Sequence, residues 1–319
     1  MTWSPWEEVR PDCLTTSQPG GERFGSLIHA PDGQFLQYRV TFRMARGASP
    51  RLHRVTNTVI DAPVIATGVT TKQVDGAVSY PTLEVIPRES WGADEKYRFD
   101  KRGKEIWPEM FVPAKKLIIH HTATRNSFMT PADAAAEVRA IYHYHAVTQH
   151  WGDIGYNLLI DKFGNIYEGR HGRGEGSVRE TLSADVVAGH DYNHNYGSVG
   201  IVLVGNSTRA DWTMGSADDD DNPMWQALKA AAAFEAGRHG IRPLLATKPA
   251  VSDFLRSDDL WSDGMKNVSG HRETNSTTCP GEIVMGLLDP LRSDIDDSLK
   301  GTTRIDVYVN EETRSHRET

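Results

Sequence analysis

The most restrictive feature of this chain is an uninterrupted apolar run at residues 199–204, Val-Gly-Ile-Val-Leu-Val. A strand with one face in water alternates apolar and polar side chains, whereas a run without polar positions is typical of a strand buried on both faces. Such burial requires that other elements, usually helices, cover both sides of the sheet. The run therefore predicts a central strand in a layered α/β protein.

Further strand patterns accompany this run. Residues 115–119 form a compact apolar segment that ends on His120 and His121. Residues 156–160 and 166–168 lie on either side of a Phe-Gly-Asn turn, and this arrangement predicts a pair of strands. The chain thus supplies several short strands for one sheet.

Two segments carry the start signals of helices. Thr130 is a suitable N-cap, Pro131 suits the first helical position, and Asp133 completes a capping box. A second helix is predicted from Asn222, which is followed by proline, to its end at Gly240. Strands and helices in this order predict a central mixed β-sheet flanked by helices.

The chain before this main domain has a different pattern. Between residues 34 and 59, apolar side chains alternate with polar ones at the period of a half-buried strand: Leu36, Tyr38, Val40 and Phe42. We therefore divide the chain into a β-rich segment at 1–62, a linker at 63–82, a main domain at 83–295 and a tail at 296–319. The first segment has the pattern of a partial β-sandwich and is too short for a whole one.

The net charge of the 319-residue chain is −8 at pH 7. This charge argues against nucleic acid or an anionic membrane as the main partner, because both attract faces rich in Lys and Arg. No segment approaches the roughly 20 consecutive apolar residues of a membrane span. The first residues also lack the basic start and apolar run of a secretory signal, so we expect a removed export signal or another release route, such as phage-driven lysis.

Three residues stand out as candidate metal ligands. His120 ends an apolar strand, and His271 and Cys279 lie eight residues apart in a segment rich in turn-forming residues. Two imidazoles and a thiolate suit Zn²⁺ and leave a fourth position for water. The alternatives are ordinary: a structural histidine after a strand, and a cysteine that packs as a small buried apolar residue. The spacing of the three residues does not choose between these interpretations.

Four sequence strings, taken in order, resemble a known family. They are IPRESWGA at 86–93, IIHHTAT at 118–124, WGDIGYN at 151–157, and GHR at 270–272 followed by TTCPG at 277–281. Together they are similar to the type 2 N-acetylmuramoyl-L-alanine amidases, a family that includes the peptidoglycan recognition proteins and the phage lysozyme-type amidases. The first string resembles the peptidoglycan recognition branch. The resemblance runs from about residue 84 to about residue 290, and it covers neither residues 1–80 nor the tail.

The resemblance implies a role for individual residues. The first histidine of the His-His pair is the family's ligand, so His120 is expected to bind zinc together with His271 and Cys279. Tyr156 falls on the position of a catalytic tyrosine, whose hydroxyl lies near the zinc-bound water and the scissile carbonyl. Thr277 falls where the family places a second group that helps to hold the oxyanion.

Two further positions are implied to lie near the substrate. His190 matches a histidine expected to line the substrate groove, and Asn195 is expected either to contact substrate or to fix the loop. The string from Gly189 to Asn195, GHDYNHN, departs from the family's usual spelling.

The resemblance leads to an expected function. It implies zinc-dependent hydrolysis of the amide bond between N-acetylmuramic acid and L-alanine in bacterial peptidoglycan, on an α/β fold with the zinc site in a surface groove. The expected partner is peptidoglycan, the expected location is extracellular or in the cell envelope, and the expected state is a monomer. The alternative is a receptor on the same fold that binds peptidoglycan without cleaving it. Receptors of this kind typically lack the cysteine ligand, whereas Cys279 is present.

Overall fold

The fold is described by a computed structural model that covers residues 72–74, 83–128, 130–172, 185–212, 214, 221–247, 261 and 264–300. The predicted β-rich segment at 1–62 lies outside these residues, as does the chain after residue 300. Two short strands, β1 (Lys72–Val74) and β2 (Leu83–Val85), pair in antiparallel fashion. Because β1 falls within the predicted linker at 63–82, part of that segment is a strand.

A five-stranded sheet forms the centre of the main domain. Its strands are β3 (Lys116–His121), β4 (Leu158–Ile160), β5 (Ile166–Glu168), β6 (Ser198–Leu203) and β7 (Val268–Gly270). Their order across the sheet is β5-β4-β6-β3-β7. β6 is parallel to β3 and β4, β7 is parallel to β3, and β5 is antiparallel to β4. The sheet is therefore mixed, as predicted, and the apolar run forms its middle strand.

Helices flank the sheet, and the two that the sequence predicts begin after Thr130 and Asn222 as expected, while the second also ends at Gly240. They are α1 (Arg88–Trp91), α2 (Pro131–His143), α3 (Pro223–His239), α4 (Glu282–Gly286) and α5 (Leu288–Lys300), with 3-10 turns at Glu95–Arg98 and His271–Glu273 and a π-helical turn at Tyr144–Thr148. The Thr130 hydroxyl accepts a hydrogen bond from the Asp133 N–H at 3.2 Å, and the Asp133 carboxylate accepts one from the Thr130 N–H at 2.8 Å. Gly240 follows α3 with a φ of 62°. Among the described residues, no helix has both the length and the apolar character needed to cross a membrane.

The two faces of the sheet differ in what covers them. Successive side chains of a strand point to opposite faces. Leu117 and Ile119 of β3 belong to the apolar core that α3 and α5 complete. Ile118 and His120 therefore point to the other face, where α2 packs through Val138 on residues of β4 and β6. Within the described part of the chain, that second core includes no β3 residue, so His120 meets polar neighbours instead.

Several elements are absent from the sequence-based assignment, among them β7 and α5. β7 contains only Val, Ser and Gly, which is too short to show a periodicity, and it exists because it pairs with β3. α5 carries Leu288, Leu291 and Ile295 at helical spacing, and all three side chains are buried. This helix continues to Lys300, five residues past the predicted domain boundary at 295.

Candidate metal centre

The pairing of β3 with β7 brings two histidines together. Ile119 of β3 lies opposite Gly270 of β7 in a parallel register, so the residues that follow them, His120 and His271, are neighbours across the sheet. Their ring centroids are 4.5 Å apart. Both side chains are buried, with 0% and 2% of their surface exposed. A contact between residues 151 positions apart is therefore a direct consequence of the sheet topology.

The segment after β7 returns a cysteine to the same place. A 3-10 turn at His271–Glu273 starts the return, and the Thr274 and Asn275 N–H groups both donate to the His271 carbonyl. Cys279 then lies with its Sγ 3.7 Å from His120 Nδ1. The backbone N–H of His121 donates to this sulfur at 3.3 Å, a contact that favours the thiolate.

His121 itself is directed elsewhere. Its Nδ1 lies 3.0 Å from the Ser207 hydroxyl, on the side of the strand opposite to His120. His121 therefore packs on the face of the sheet opposite to His120.

The donor atoms of His120, His271 and Cys279 all lie within 4.8 Å of one another. Around a tetrahedral zinc ion, the usual Zn–N and Zn–S bond lengths separate a nitrogen from a sulfur donor by roughly 3.6 Å. The 3.7 Å between His120 Nδ1 and Cys279 Sγ fits that requirement. In the described part of the chain, no other group of His, Cys, Asp or Glu residues meets the same criterion. We call these three residues the His/His/Cys cluster.

The electrostatics of the cluster favour neutral imidazole. Burial lowers the pKa of His120 below its ordinary value, and the neighbouring His271 lowers it further, which outweighs the opposite effect of Cys279. A neutral imidazole is the form that binds a metal ion. The environment of His120 therefore holds it ready as a ligand at neutral pH.

Tyr156 lies beside this cluster, on the same face of the sheet. Its ring centroid is 5.6 Å from that of His120, and the side chain is only 2% exposed. The backbone carbonyl of Tyr156 accepts a hydrogen bond from the Arg170 N–H at 2.7 Å, which fixes the residue just before β4. On the other side of the Tyr156 ring lies His145, whose pKa is lowered by burial to about 3, so this neighbour is uncharged.

Thr277 lies in the return segment two residues before Cys279 and is half-buried. Its hydroxyl oxygen accepts a hydrogen bond from the Cys279 N–H at 3.2 Å. This contact holds the threonine side chain next to the cysteine while leaving its hydroxyl proton available to donate.

His190 and Asn195 belong to the loop before β6. His190 is buried, and its Nδ1 lies 3.0 Å from His120 Nε2. The Asn195 side-chain oxygen accepts a hydrogen bond from the Asp191 N–H at 2.8 Å, so it fixes the loop, which is one of its two expected roles. Contact of either residue with substrate stays a prediction.

Asp191 and Ser198 were not singled out from the sequence, although both lie near the cluster. Asp191 is 1% exposed, and its Oδ1 lies 3.6 Å from His271 Nε2. Burial raises the pKa of Asp191, but His194 and His271 outweigh burial and hold it below its usual value. The unusual string GHD at 189–191 was the available signal. An acid in a loop has no spacing rule that would connect it with a histidine 80 residues later.

The fold and the cluster define a class: an α/β domain with a buried His/His/Cys cluster that could hold a metal ion on one face of a mixed sheet. Residues 110–282, more than half of the chain, match the family described as N-acetylmuramoyl-L-alanine amidase. The chain belongs to this family. The sequence resemblance to the amidases and peptidoglycan recognition proteins is thereby confirmed.

The relatives of this chain include proteins named as amidases and proteins named as peptidoglycan recognition proteins. The human N-acetylmuramoyl-L-alanine amidase is 27% identical over 70% of this chain and 31% of its own length. Peptidoglycan-recognition protein SC2 of Drosophila simulans is 30% identical over 51% of this chain and 66% of its own length. Mouse peptidoglycan recognition protein 3 is 33% identical over 64% of this chain and 44% of its own length. The chain thus spans between 31% and 66% of the length of these relatives. The solved structure of wild-type Drosophila PGRP-LB aligns with 24% identity over 64% of this chain and 92% of that chain, at a TM-score of 0.44.

Proposed function

We propose that this protein is a zinc-dependent amidase that hydrolyses the bond between N-acetylmuramic acid and L-alanine in bacterial peptidoglycan. The observation that carries the proposal is the convergence of His120, His271 and Cys279, with donor atoms within 4.8 Å of one another, in a chain of the amidase family. All three residues are buried on one face of the sheet. Two imidazoles and a thiolate form a donor set typical of catalytic zinc.

Zinc held by these residues would supply Lewis acidity and a hydroxide nucleophile at neutral pH, since metal binding lowers the pKa of water from about 16 to about 7. Three protein ligands leave the fourth position to water or substrate. The hydrogen bond from the His121 N–H to Cys279 Sγ, at 3.3 Å, favours the thiolate form that binds a metal ion. The protein therefore contributes a donor set that is held in place by the surrounding backbone.

Two hydroxyl groups, those of Tyr156 and Thr277, are the groups that we expect to stabilise the oxyanion that develops on the scissile carbonyl. Tyr156 lies next to His120, and its ring is held by the backbone before β4 and by His145. Thr277 lies beside Cys279 with its hydroxyl proton free to donate. Donors fixed in advance of the reaction stabilise the transition state by several kcal/mol, because they require no rearrangement when charge appears.

A receptor that binds peptidoglycan without cleaving it is the alternative function. The names of the Drosophila and mouse relatives favour recognition. Cys279 favours catalysis, because a receptor has no need for a thiolate directed at two imidazoles. We therefore rank hydrolysis first.

The proposed substrate also implies a location and a partner for the protein. Peptidoglycan lies outside the cytoplasm, so we propose that the protein acts in the cell envelope or extracellularly. The partner is the glycan strand with its stem peptide, and the protein acts as a monomer. The net charge of −8 is consistent with a shaped groove as the binding device, because an acidic wall does not attract an acidic protein.

The experiment is digestion of purified peptidoglycan, followed by mass spectrometry of the soluble products. Hydrolysis of the proposed bond releases free stem peptides that begin with alanine. Cys279→Ala is expected to release none and to remain bound to insoluble peptidoglycan. Cys13→Ala, the matched change at the other cysteine, is expected to cleave like the wild type. Retention of the wild type on peptidoglycan without any released peptide would support the receptor instead.

A further inference from the structure

Two consecutive residues of the loop before β6 each contact a different histidine of the His/His/Cys cluster. His190 Nδ1 lies 3.0 Å from Nε2 of His120. Asp191 Oδ1 lies 3.6 Å from Nε2 of His271. Both loop side chains are buried, at 0% and 1% exposure. The two imidazole ligands are therefore supported from behind by one dipeptide.

A chain of hydrogen bonds connects His120 through His190 to Ser198, and the contact of Ser198 with a carbonyl fixes the direction of donation along it. The Ser198 hydroxyl lies 2.5 Å from the backbone carbonyl of His194, and a carbonyl can only accept, so the hydroxyl proton is used there. Towards His190 Nε2, at 3.4 Å, the Ser198 oxygen must then accept, and this nitrogen carries the proton. His190 Nδ1 is consequently an acceptor, and the Nε2–H of His120 donates to it. The lone pair of His120 is left on Nδ1, the atom that faces Cys279.

The carboxylate of Asp191 acts on His271 through its charge. Its Oδ1 lies 3.6 Å from His271 Nε2, just beyond hydrogen-bond distance, and the negative charge favours the tautomer in which this nitrogen carries the proton. Asp191 is itself held in place: the Thr274 hydroxyl lies 2.7 Å from Oδ2, the Asn275 amide donates to Oδ1, and Asn195 binds its backbone N–H. His271 is thereby oriented with its lone pair on Nδ1.

The packing beneath His190 explains why its ring stays in this position. The ring lies directly against the backbone of β6 at Gly200, where a Cβ atom would overlap the imidazole. Gly200 is the residue of β6 that lies opposite Ile118 of β3, so the ring is at the level of the cluster. The absent side chain at position 200 therefore provides the space that His190 occupies.

We propose that His190 and Asp191 act together as positioning residues that fix the tautomers of His120 and His271, so that both imidazoles present Nδ1 to the metal. The inference rests on the proposed metal-binding role of the cluster. In this proposal His190 orients the imidazole of His120, a role distinct from the expected contact of His190 with substrate. Residues that orient metal ligands commonly change metal affinity by ten- to a hundredfold when they are removed.

The direct test uses the metal-free wild-type protein labelled with ¹⁵N-histidine. Long-range nitrogen–proton correlation spectra distinguish which ring nitrogen carries the proton, and His120→Gln and His271→Gln assign the two signals. We expect both residues as Nε2–H tautomers. A Nδ1–H tautomer at either position would overturn the inference, and this outcome depends on neither zinc nor activity.

The second test measures zinc affinity by competition with a chromophoric chelator. His190→Leu removes the acceptor and is expected to weaken binding ten- to a hundredfold. His190→Asn places an oxygen where Nδ1 was and is expected to stay within about threefold of the wild type. Gly200→Ala should weaken binding like His190→Leu, whereas Gly286→Ala, where a Cβ meets open space, should not. Tight zinc binding by the wild type and equal affinity in a folded His190→Leu would reject the inference alone, while a wild type that binds no zinc would reject the proposed function.

Discussion

Two buried histidine clusters in this domain have histidine pKa values that are shifted in opposite directions. In the His/His/Cys cluster, burial lowers the pKa of His120, and the residues around it are another imidazole and a thiol. At the end of α3, His239 lies between two carboxylates, with Asp185 at 3.1 Å from Nδ1 and Glu235 at 3.2 Å from Nε2. Burial lowers the pKa of His239 as well, but the two carboxylates outweigh it and the net pKa is raised.

The difference shows what separates a candidate metal ligand from a structural histidine. The two side chains are almost equally inaccessible, so burial does not distinguish them. The neighbouring groups distinguish them, because two carboxylates close to the ring nitrogens favour the charged form of His239. For His120, the proposed tautomer instead leaves a lone pair on the nitrogen that faces Cys279. We call Asp185, Glu235 and His239 the His239 cluster.

The largest expected effect separates the two clusters directly. His271→Ala removes a ligand and is expected to abolish both zinc binding and peptidoglycan hydrolysis. His239→Ala removes a histidine of similar burial and is expected to keep both at the wild-type level while lowering the melting temperature. Zinc analysis, product release and thermal unfolding on both variants make the comparison. Loss of zinc from His239→Ala, or its retention by His271→Ala, would erase the distinction.

Tyr156→Phe is expected to have the next largest effect. The substitution keeps the ring beside His120 and removes only the hydroxyl donor. Loss of one donor to a developing oxyanion costs on the order of 3 kcal/mol, a rate drop of roughly a hundredfold or more. Zinc content and melting temperature should remain unchanged, because neither a ligand nor buried volume is lost. A variant that turns over at nearly the wild-type rate would assign Tyr156 to the core.

Thr277→Val should have a smaller effect on the same step. Valine has the shape of threonine without its hydroxyl, so the variant loses a neutral donor and the acceptor for the Cys279 N–H. A neutral hydrogen bond contributes about 1 kcal/mol, which corresponds to a decrease in turnover of roughly fivefold. The decrease should appear in kcat with zinc affinity retained. A large loss of zinc would show that Thr277 acts by supporting Cys279 instead.

The His239 cluster should affect stability and its pH dependence, and not turnover. Since the pKa of His239 is raised on folding, its contribution to stability is complete below the unfolded pKa near 6.5 and is lost as the pH rises through the folded pKa. His239 lowers the pKa of Asp185, and Arg238 and His239 lower that of Glu235 against the effect of burial, so the carboxylates lose their contributions at acidic pH. The difference in melting temperature between wild type and His239→Gln should therefore be largest at mildly acidic pH and shrink towards alkaline pH. A constant difference across this range would show that His239 stabilises the fold by packing alone.

Local signals were sufficient for part of this fold. The start of α2 was predicted from Thr130 and Asp133, because a capping box is contained within four residues. β6 was predicted because an apolar strand buried on both faces has a pattern of its own. In contrast, β7 has three residues and is defined by its pairing with β3, which lies some 150 residues earlier. The proximity of His120 and His271 depends on exactly that pairing, so spacing alone could not join them.

The candidate site divides in the same way. Its ligands and the positions of Tyr156 and Thr277 were expected from the family resemblance, which encodes long-range contacts that periodicity does not. The role of Asp191 could not be predicted from the sequence, because its contact with His271 forms only when the loop before β6 and the segment after β7 have folded together. Side chains that support a site from behind have no fixed spacing in the sequence, and they emerge from the three-dimensional arrangement.

The most direct test of the central claim is a measurement of zinc and activity on the same preparation. The purified protein should contain one zinc ion per chain, lose peptidoglycan hydrolysis when a chelator removes it, and recover hydrolysis when Zn²⁺ is returned. The protein should stay folded after zinc is removed, because His120, His271 and Cys279 belong to neither of the apolar cores on the two faces of the sheet. A preparation that hydrolyses peptidoglycan without bound zinc, or one that keeps full activity in excess chelator, would contradict the account.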